Sequence, residues 1–301
     1  MKFLENTNID FVGLRKWGYG LSIAMMIITA TSVALHKGFR LGIEFTGGAM
    51  IQVKFDQPVN LEDVRKILIQ TEGENPDLQS LVSQNSIIIR LKSLPTKELA
   101  ERVVDSLQAG FPSNKVTLER SDLVGPVVGR YLLRQALLAL VCSLVGIMVY
   151  VGFRFRNMVW GTAGVLALLH DVIAAAGVIS ILNREMTLTV IAALLTIAGY
   201  SINDTIVVFD RMREKLRYRK KEPLELLINK SINETLTRTV NTSMTVILAL
   251  LALFFFGGQV IHDFSLALLF GVLVGTYSSI GMAAPMVYEW YTHKARMQTG
   301  K

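Results

Sequence analysis

The chain has 301 residues, of which 51% are hydrophobic, and it carries a formal net charge of +7. So large an apolar fraction, gathered into long uncharged runs, argues against a soluble domain and for a membrane protein. The single cysteine, Cys142, lies within one of these runs and excludes an internal disulfide. No spacing typical of ATP-binding loops, metal ligands or hydrolase nucleophiles occurs, so we expect no enzyme activity, metal or cofactor.

Six apolar runs are each long enough to cross a bilayer as a helix, which takes about 20 residues. The first run is too long for the core of a signal peptide, and no small-residue cleavage site precedes His36, so we predict a membrane helix there. The predicted spans are Trp17–Leu35, Leu132–Phe153, Met158–Leu182, Thr187–Phe209, Thr237–Phe256 and Phe264–Pro285.

A polar stretch between the first two runs is predicted to form a small domain. Ile51, Val53 and Phe55 alternate with polar residues, which indicates a half-buried strand. Asn60 can cap a helix that ends before Gly73. Two short strands follow, at Leu78–Val82 and Ile87–Leu91. A second helix then carries Leu99, Val103 and Leu107 on one face, and a last strand is predicted at Lys115–Arg120. The order βαββαβ predicts a ferredoxin-like fold. The predicted fold class is thus a polytopic α-helical membrane protein with six transmembrane helices and a small α+β domain between helices 1 and 2.

Lys and Arg residues gather near both termini and between the fourth and fifth runs, whereas the other turns are nearly uncharged. The positive-inside rule therefore predicts cytoplasmic termini and an extracytoplasmic domain. The net charge follows from this bias and does not indicate nucleic-acid binding. The predicted divisions are 1–37 (cytoplasmic N-terminus and first helix), 38–130 (extracytoplasmic domain), 131–285 (helices two to six, with a basic cytoplasmic loop at 210–236) and 286–301 (cytoplasmic tail).

The basic loop at 210–236 has apolar residues at helical spacing, among them Met212, Leu216, Leu224 and Leu227. This pattern predicts a basic amphipathic helix that lies on the anionic inner leaflet of the bilayer. Docking of the loop onto a cytoplasmic protein is the alternative.

Asp204 lies in a segment that is otherwise apolar enough to span the bilayer. Burying a charged carboxylate there costs about 2.5–3.5 kcal/mol on insertion scales. On a helix Asp204 shares a face with Tyr200, and Ser201 and Asn203 add polar atoms nearby, which suits a hydrated seam between helices. An early end of the span would make Asp204 an ordinary interfacial residue, but Ile206–Phe209 still needs burial beyond it. We therefore predict an intramembrane site for charge or protons.

Arg238, at the cytoplasmic start of the fifth span, is the predicted partner of Asp204, because a long side chain can reach inward from a helix end. A guanidinium favours the charged carboxylate, whereas burial favours the protonated form, so the pair could change protonation as helices move. Arg238 could equally be a positive-inside anchor that extends to the headgroups.

His170 and Asp171 lie near the middle of the third span. Successive residues of a helix point about 100° apart, so we expect the two side chains to serve different surfaces. His170 is predicted to hold neighbouring helices together through hydrogen bonds. Asp171 could do the same or belong to a proton path.

Several short motifs, taken in series, resemble the SecF family of bacterial protein-export subunits, which belongs to the resistance-nodulation-division superfamily. The motifs are Phe45–Gly48, Val124–Gly129, Tyr150–Phe155, Ala167–Asp171, Gly199–Asp204 and Arg238–Ser243. They run in order from the first outer strand to the fifth span.

The resemblance implies a multi-pass protein of the bacterial inner membrane with a periplasmic domain. It implies a heterodimer with SecD, association with SecYEG and YajC, and a functional link to SecA. The subunit would use the proton motive force to draw unfolded polypeptides outward. The resemblance also implies that Asp204 takes part in proton passage and that Arg238 is its partner.

Two other functions remain open. A proton-coupled exporter of the same superfamily would be expected to have a second six-helix half. A purely structural assembly subunit would use the buried charges only to hold helices together.

Overall fold

The computed structural model describes residues 7–81, 85–92, 97–155, 158–218 and 222–299. The chain divides into two compact units. The membrane unit comprises Met1–Arg40 and Leu138–Lys301, and the sheet domain comprises Leu41–Leu137.

Ten α-helices and six strands follow one another in the described part of the chain. The helices are α1 (Arg15–Leu35), α2 (Ile43–Thr46), α3 (Leu61–Glu72), α4 (Lys97–Gly110), α5 (Pro126–Phe155), α6 (Met158–Ile181), α7 (Leu188–Arg217), α8 (Leu224–Phe256), α9 (Gln259–Ser278) and α10 (Ala284–Thr299). The strands are β1 (Arg40–Leu41), β2 (Gly48–Phe55), β3 (Asp77–Leu81), β4 (Ser86–Leu91), β5 (Val116–Val124) and β6 (Glu185–Met186). A π-helical turn, Ser279–Ala283, joins α9 to α10.

The sheet domain has the predicted ferredoxin-like topology. Its four antiparallel strands lie in the order β3-β4-β2-β5, with α3 and α4 in the connections. Ala49, Ile51, Val53 and Phe55, on one face of β2, are fully buried, which confirms the predicted alternation. Val82, the predicted end of β3, lies outside the described residues.

The local signals at the ends of α3 act as predicted. The Asn60 side chain accepts a hydrogen bond from the Glu62 N–H at 2.9 Å and so caps the helix. Gly73 ends it with φ 69°, the left-handed conformation that favours glycine.

The Gly47-Gly48 pair marks a tight crossing of the chain within the sheet domain. Both residues have positive φ, 75° and 120°. A Cβ atom on Gly47 would lie 2.7 Å from Pro126 Cα, and one on Gly129 would lie 2.8 Å from the Phe45 carbonyl oxygen. Glycine at these positions therefore lets two segments pack backbone to backbone.

In the described part of the chain, six helices are long and apolar enough to cross a membrane. Together with the α+β sheet domain they confirm the predicted fold class. Within the membrane unit α6 packs against α1, α7 and α9, and α7 also packs against α8. By contrast, α1 and the membrane part of α5 leave most of their apolar side chains exposed.

The prediction of a separate amphipathic helix within 210–236 is wrong. α7 continues to Arg217 and α8 begins at Leu224, so most of the described part of this stretch belongs to the ends of two long helices. Met212, Leu227 and Ile228 are buried in one apolar core and are not free to contact lipid. Two ion pairs join the helix ends: Glu234 of α8 lies 2.5 Å from both Arg211 and Lys215 of α7.

A segment before α1 is fixed to α8 through its backbone. The Asn233 side chain accepts from the Ile9 N–H at 3.0 Å and donates to the Ile9 carbonyl at 2.9 Å. One turn earlier, Asn229 accepts from the Val12 N–H at 2.9 Å and donates to Asp10 Oδ1 at 2.6 Å. Val12 itself is fully buried in the core of the membrane unit. We call this arrangement the asparagine clamp.

Candidate functional site

The geometry around Asp204 follows from the packing of α7. Thr187 caps the helix, accepting from the Val190 N–H at 3.3 Å. Ile197, Ala198 and Val208 direct one face of α7 into the membrane unit, where it meets α6, α8 and α9. Asp204 lies on this face and is only 3% exposed, so the carboxylate is buried in a membrane-spanning helix, as the sequence predicts.

A chain of hydroxyl groups from α7, α8 and α9 leads to this carboxylate. Ser243 of α8 interacts with the Asp204 side chain and also accepts a hydrogen bond from the Tyr200 hydroxyl at 3.4 Å. Ser243 Oγ is in turn 2.6 Å from Thr276 Oγ1 of α9. Tyr200, a predicted neighbour, is thus half-buried beside Asp204, whereas Ser243 and Thr276 were not predicted.

Arg238 supplies the positive charge that acts on Asp204. The electrostatic interaction of its guanidinium with the carboxylate is attractive, and no ion pair between the two side chains is found among the described residues. Among the described residues, Asp204 Oδ2 is buried without a hydrogen-bond partner, and so is Thr239 Oγ1, next to Arg238 on α8. The carboxylate is therefore only partly satisfied, which a buried charged group tolerates poorly.

Asn203 lies away from the carboxylate. Its side chain is exposed on the surface of the membrane unit, on the opposite side of α7 from the buried stripe. The prediction that it belongs to a polar seam around Asp204 within this chain is therefore wrong. Residue 203 is about 100° from Asp204 on the helix, on the side away from Ser201 and Thr205, and so it falls outside the buried stripe.

His170 and Asp171 form one buried pair. The His170 ring turns back so that Nδ1 lies 3.0 Å from Asp171 Oδ1, which corrects the expectation that the two side chains serve different surfaces. The second carboxylate oxygen, Oδ2, accepts hydrogen bonds from Ser201 of α7 and from Ser278 of α9, the latter at 2.7 Å. His170 Nε2 is buried without a partner among the described residues. Asp171 thus joins α6, α7 and α9, and the Ser201 hydroxyl donates to Asp171.

A second hydroxyl contact lies beside this pair. Thr205 Oγ1 of α7 is 2.8 Å from Ser279 Oγ, at the start of the π-helical turn. In the sequence this contact is indicated by no more than the two serines Ser278 and Ser279 within an apolar run. Serines in apolar runs are too common to predict a contact.

Chemically, the two carboxylates differ. Asp171 is surrounded by donors, whereas one oxygen of Asp204 has no hydrogen-bond partner within the described part of the chain and is attracted by a cation. A free oxygen on a buried carboxylate can bind and release a proton. Together with the six helices, this arrangement defines a polytopic membrane protein with an ionisable intramembrane site.

Comparison with known proteins identifies the family. Residues 103–293 match the family described as protein export membrane protein SecD/SecF, C-terminal, and residues 33–59 match the SecD/SecF GG motif, which contains Gly47 and Gly48. The protein translocase subunit SecF of Endomicrobium trichonymphae is 40% identical over 304 residues, covering 100% of this chain and 96% of the relative. That of Thermodesulfovibrio yellowstonii is 41% identical over 291 residues, covering 95% and 96%. The chain belongs to the SecF family, and the resemblance seen in the sequence is confirmed.

Solved structures show the same fold. The crystal structure of SecDF from Thermus thermophilus, described as a translocon-associated membrane protein, matches with a TM-score of 0.86 at 37% identity. The match covers 97% of this chain and 40% of that one. A super-membrane-facing form of SecDF matches with a TM-score of 0.72 at 37% identity, covering 98% of this chain and 40% of the other. The chain therefore spans about two fifths of the length of these structures.

Proposed function

We propose that this chain is an accessory subunit of the Sec protein translocase and that it promotes polypeptide export with the proton motive force. It acts with a SecD-type partner next to SecYEG and YajC, after SecA has driven the first steps. It lies in the bacterial inner membrane with cytoplasmic termini and a periplasmic sheet domain, which holds the emerging unfolded polypeptide. Family membership and the similarity to SecDF support the translocase role.

The observation that carries the proton-coupled part is the incompletely satisfied burial of Asp204. A buried carboxylate that served only to join helices would have its oxygens paired, as those of Asp171 are. Among the described residues, Oδ2 of Asp204 instead has no hydrogen-bond partner, and the Arg238 guanidinium attracts the carboxylate. Protonation removes this attraction, so α7 and α8 can shift relative to each other.

The energy released by one proton is large enough to drive a conformational change. One charge that crosses a potential of 100 mV releases about 2.3 kcal/mol. Two conformers of a switching protein differ by a few kcal/mol, so a single proton can change which of them is populated.

Exposed polar side chains on the membrane helices support a partner subunit. Asn203 of α7 and Arg238, Asn241 and Thr245 of α8 are exposed in this chain. Polar groups in contact with lipid tails are costly, whereas a second subunit can provide hydrogen bonds for them. The SecD-type partner covers this surface in the proposed complex.

The test compares two aspartates of the same helix. Asp204→Asn should abolish the export that depends on the proton motive force while the complex with the SecD-type partner still copurifies. Asp210→Asn is the matched control, because Asp210 of α7 forms an ion pair with Arg154 at 2.6 Å and is partly exposed. Export by proteoliposomes under a measured potential, with SecA limiting, is the readout. Full export by Asp204→Asn would refute the proposal.

An exchange of the two charges separates this function from that of a structural subunit. If Asp204 and Arg238 only hold α7 and α8 together, the double variant Asp204→Arg with Arg238→Asp should retain export. A proton site should not survive the exchange, because the carboxylate then lies at the exposed position of α8.

A further inference from the structure

The Asp171 carboxylate is the hydrogen-bond centre of three helices, and the proposed proton site does not use it directly. The side chain is fully buried. His170 of α6, Ser201 of α7 and Ser278 of α9 all meet its two oxygens. A buried carboxylate with this many donors is held in one orientation, and so are the helices that carry the donors.

The π-helical turn lets adjacent residues reach two helices at once. Ser278 ends α9 and donates to Asp171 Oδ2 at 2.7 Å, while Ser279 begins the turn and lies 2.8 Å from Thr205 Oγ1. π-helical turns within α-helices are rare and occur frequently at functional sites. Both serines are fully buried, so neither hydroxyl has solvent as an alternative partner.

These two contacts bracket the part of α7 that carries Asp204. Ser201, Asp204 and Thr205 are at i, i+3 and i+4, so they lie on one face of the helix. Ser201 is fixed by Asp171 and Thr205 by Ser279. Gly275 of α9 brings the helices into close contact here, since a Cβ atom on it would lie 3.0 Å from Ser201 Cβ.

We propose that Asp171 is a positioning residue: with Ser278 and Ser279 it fixes the turn of α7 that holds Asp204 in place beside α8. We call these contacts the Asp171 clamp. The role of Asp204 in export rests on the proposed function, whereas the placement of the turn does not.

Accessibility of position 204 tests the placement without any transport. In the complex with the SecD-type partner, Cys142→Ala removes the native thiol and Asp204→Cys introduces a probe for N-ethylmaleimide. Adding Asp171→Ala should raise the labelling rate at position 204 by about tenfold, because the turn of α7 that carries this position opens more often. Asp171→Asn should stay within about twofold of the parent, since the amide keeps the shape and one acceptor oxygen.

Ser180→Ala is the matched control. Ser180 is also on α6 and is bonded to another helix, Ser32 of α1 at 2.9 Å, and among the described residues its hydroxyl has no hydrogen bond to α7. It should leave labelling unchanged. Equal increases from Asp171→Ala and Ser180→Ala would indicate general loosening of α6 and overturn the proposal, as would no increase from Asp171→Ala. If Asp171→Ala does not assemble, Ser278→Ala removes one donor and should raise labelling by about threefold, and an unchanged rate would overturn the proposal equally.

Export in the native Asp204 background separates the two proposals. Asp171→Ala should lower export driven by the proton motive force, and Asp171→Asn should restore it. Raised labelling in a complex whose export never responds to the proton motive force would refute the proposed function and leave the clamp standing. Full export by an Asp171→Ala complex with raised labelling would show that Asp204 needs no fixed position. It would overturn the role of the Asp171 clamp in export.

Discussion

The sheet domain and the membrane unit both have apolar cores, but only the membrane unit also buries carboxylates. The core of the sheet domain is apolar, and its polar cluster of Gln52, Ser86 and Glu119 lies on the other face of the sheet. The membrane unit buries Asp171 and Asp204, and it exposes large apolar side chains. Water drives apolar side chains inward in the first case. Lipid removes that drive in the second, so hydrogen bonds and close backbone contacts decide which helices meet.

The largest effect should come from the apolar core of the sheet domain. Phe55 is fully buried, and its ring meets that of Phe111 edge to face at 5.6 Å. Phe55→Ala should lower the free energy of unfolding of this domain by about 3–5 kcal/mol, measured by hydrogen exchange of the β2 amides. Leu118→Ala is the control, because Leu118 is 40% exposed and should cost less than about 1 kcal/mol. Equal effects would contradict an apolar core centred on β2.

The next effect should come from a glycine of the tight crossing. Gly48 has φ 120°, and a Cβ atom there would strike the Leu91 carbonyl oxygen. Gly48→Ala should destabilise the sheet domain by at least about 2 kcal/mol, through both strain and the clash. Gly73→Ala has only the strain, since nothing lies within 4 Å of its Cβ position, and it should cost about 1 kcal/mol. Thermal unfolding of the two variants compares backbone strain alone with strain plus the clash. A smaller loss of stability for Gly48→Ala than for Gly73→Ala would rule out the clash.

The smallest effect should come from a hydrogen bond in the membrane unit. Ser32 of α1 and Ser180 of α6 are both buried, with 2.9 Å between their hydroxyl oxygens. A double-mutant cycle with Ser32→Ala and Ser180→Ala should give a coupling of about 0.6 kcal/mol, the usual value for such bonds in membranes. Reversible unfolding in detergent micelles measures it. A coupling as large as the loss at Phe55 would contradict the contrast between the two regions.

Periodic signals made most of the fold predictable. The alternation from Ile51 to Phe55 and the cap at Asn60 act over a few residues, so neighbouring sequence contains the whole physical cause. The same holds for the burial of Asp204, because the cost of a charge among apolar residues can be judged from the chain alone.

The rest depends on contacts that are distant in sequence. The sequence of the α7 and α8 ends predicted a surface helix because apolar residues alternate there with basic ones. The residues that bury Met212 lie on other helices, and the local sequence does not show them. Ser278 and Asp171 are 107 residues apart, and the π-helical turn that brings them together changes hydrogen bonding without changing hydropathy. The exposure of Asn203 could not be predicted for the same reason. The sequence places Asn203 next to Asp204, but the packing of α7 against other helices decides which side chains are buried.

The asparagine clamp has a consequence for how the segment before α1 can vary. Asn233 pairs with both backbone groups of Ile9, as a neighbouring strand would, and so it recognises peptide geometry and not side-chain identity. Ile9 is free to be almost any residue that retains an N–H, and proline is the exception. Val12 differs, because its side chain fills the core. Relatives of this chain can therefore differ widely at position 9 and still attach the segment to α8 at the same place.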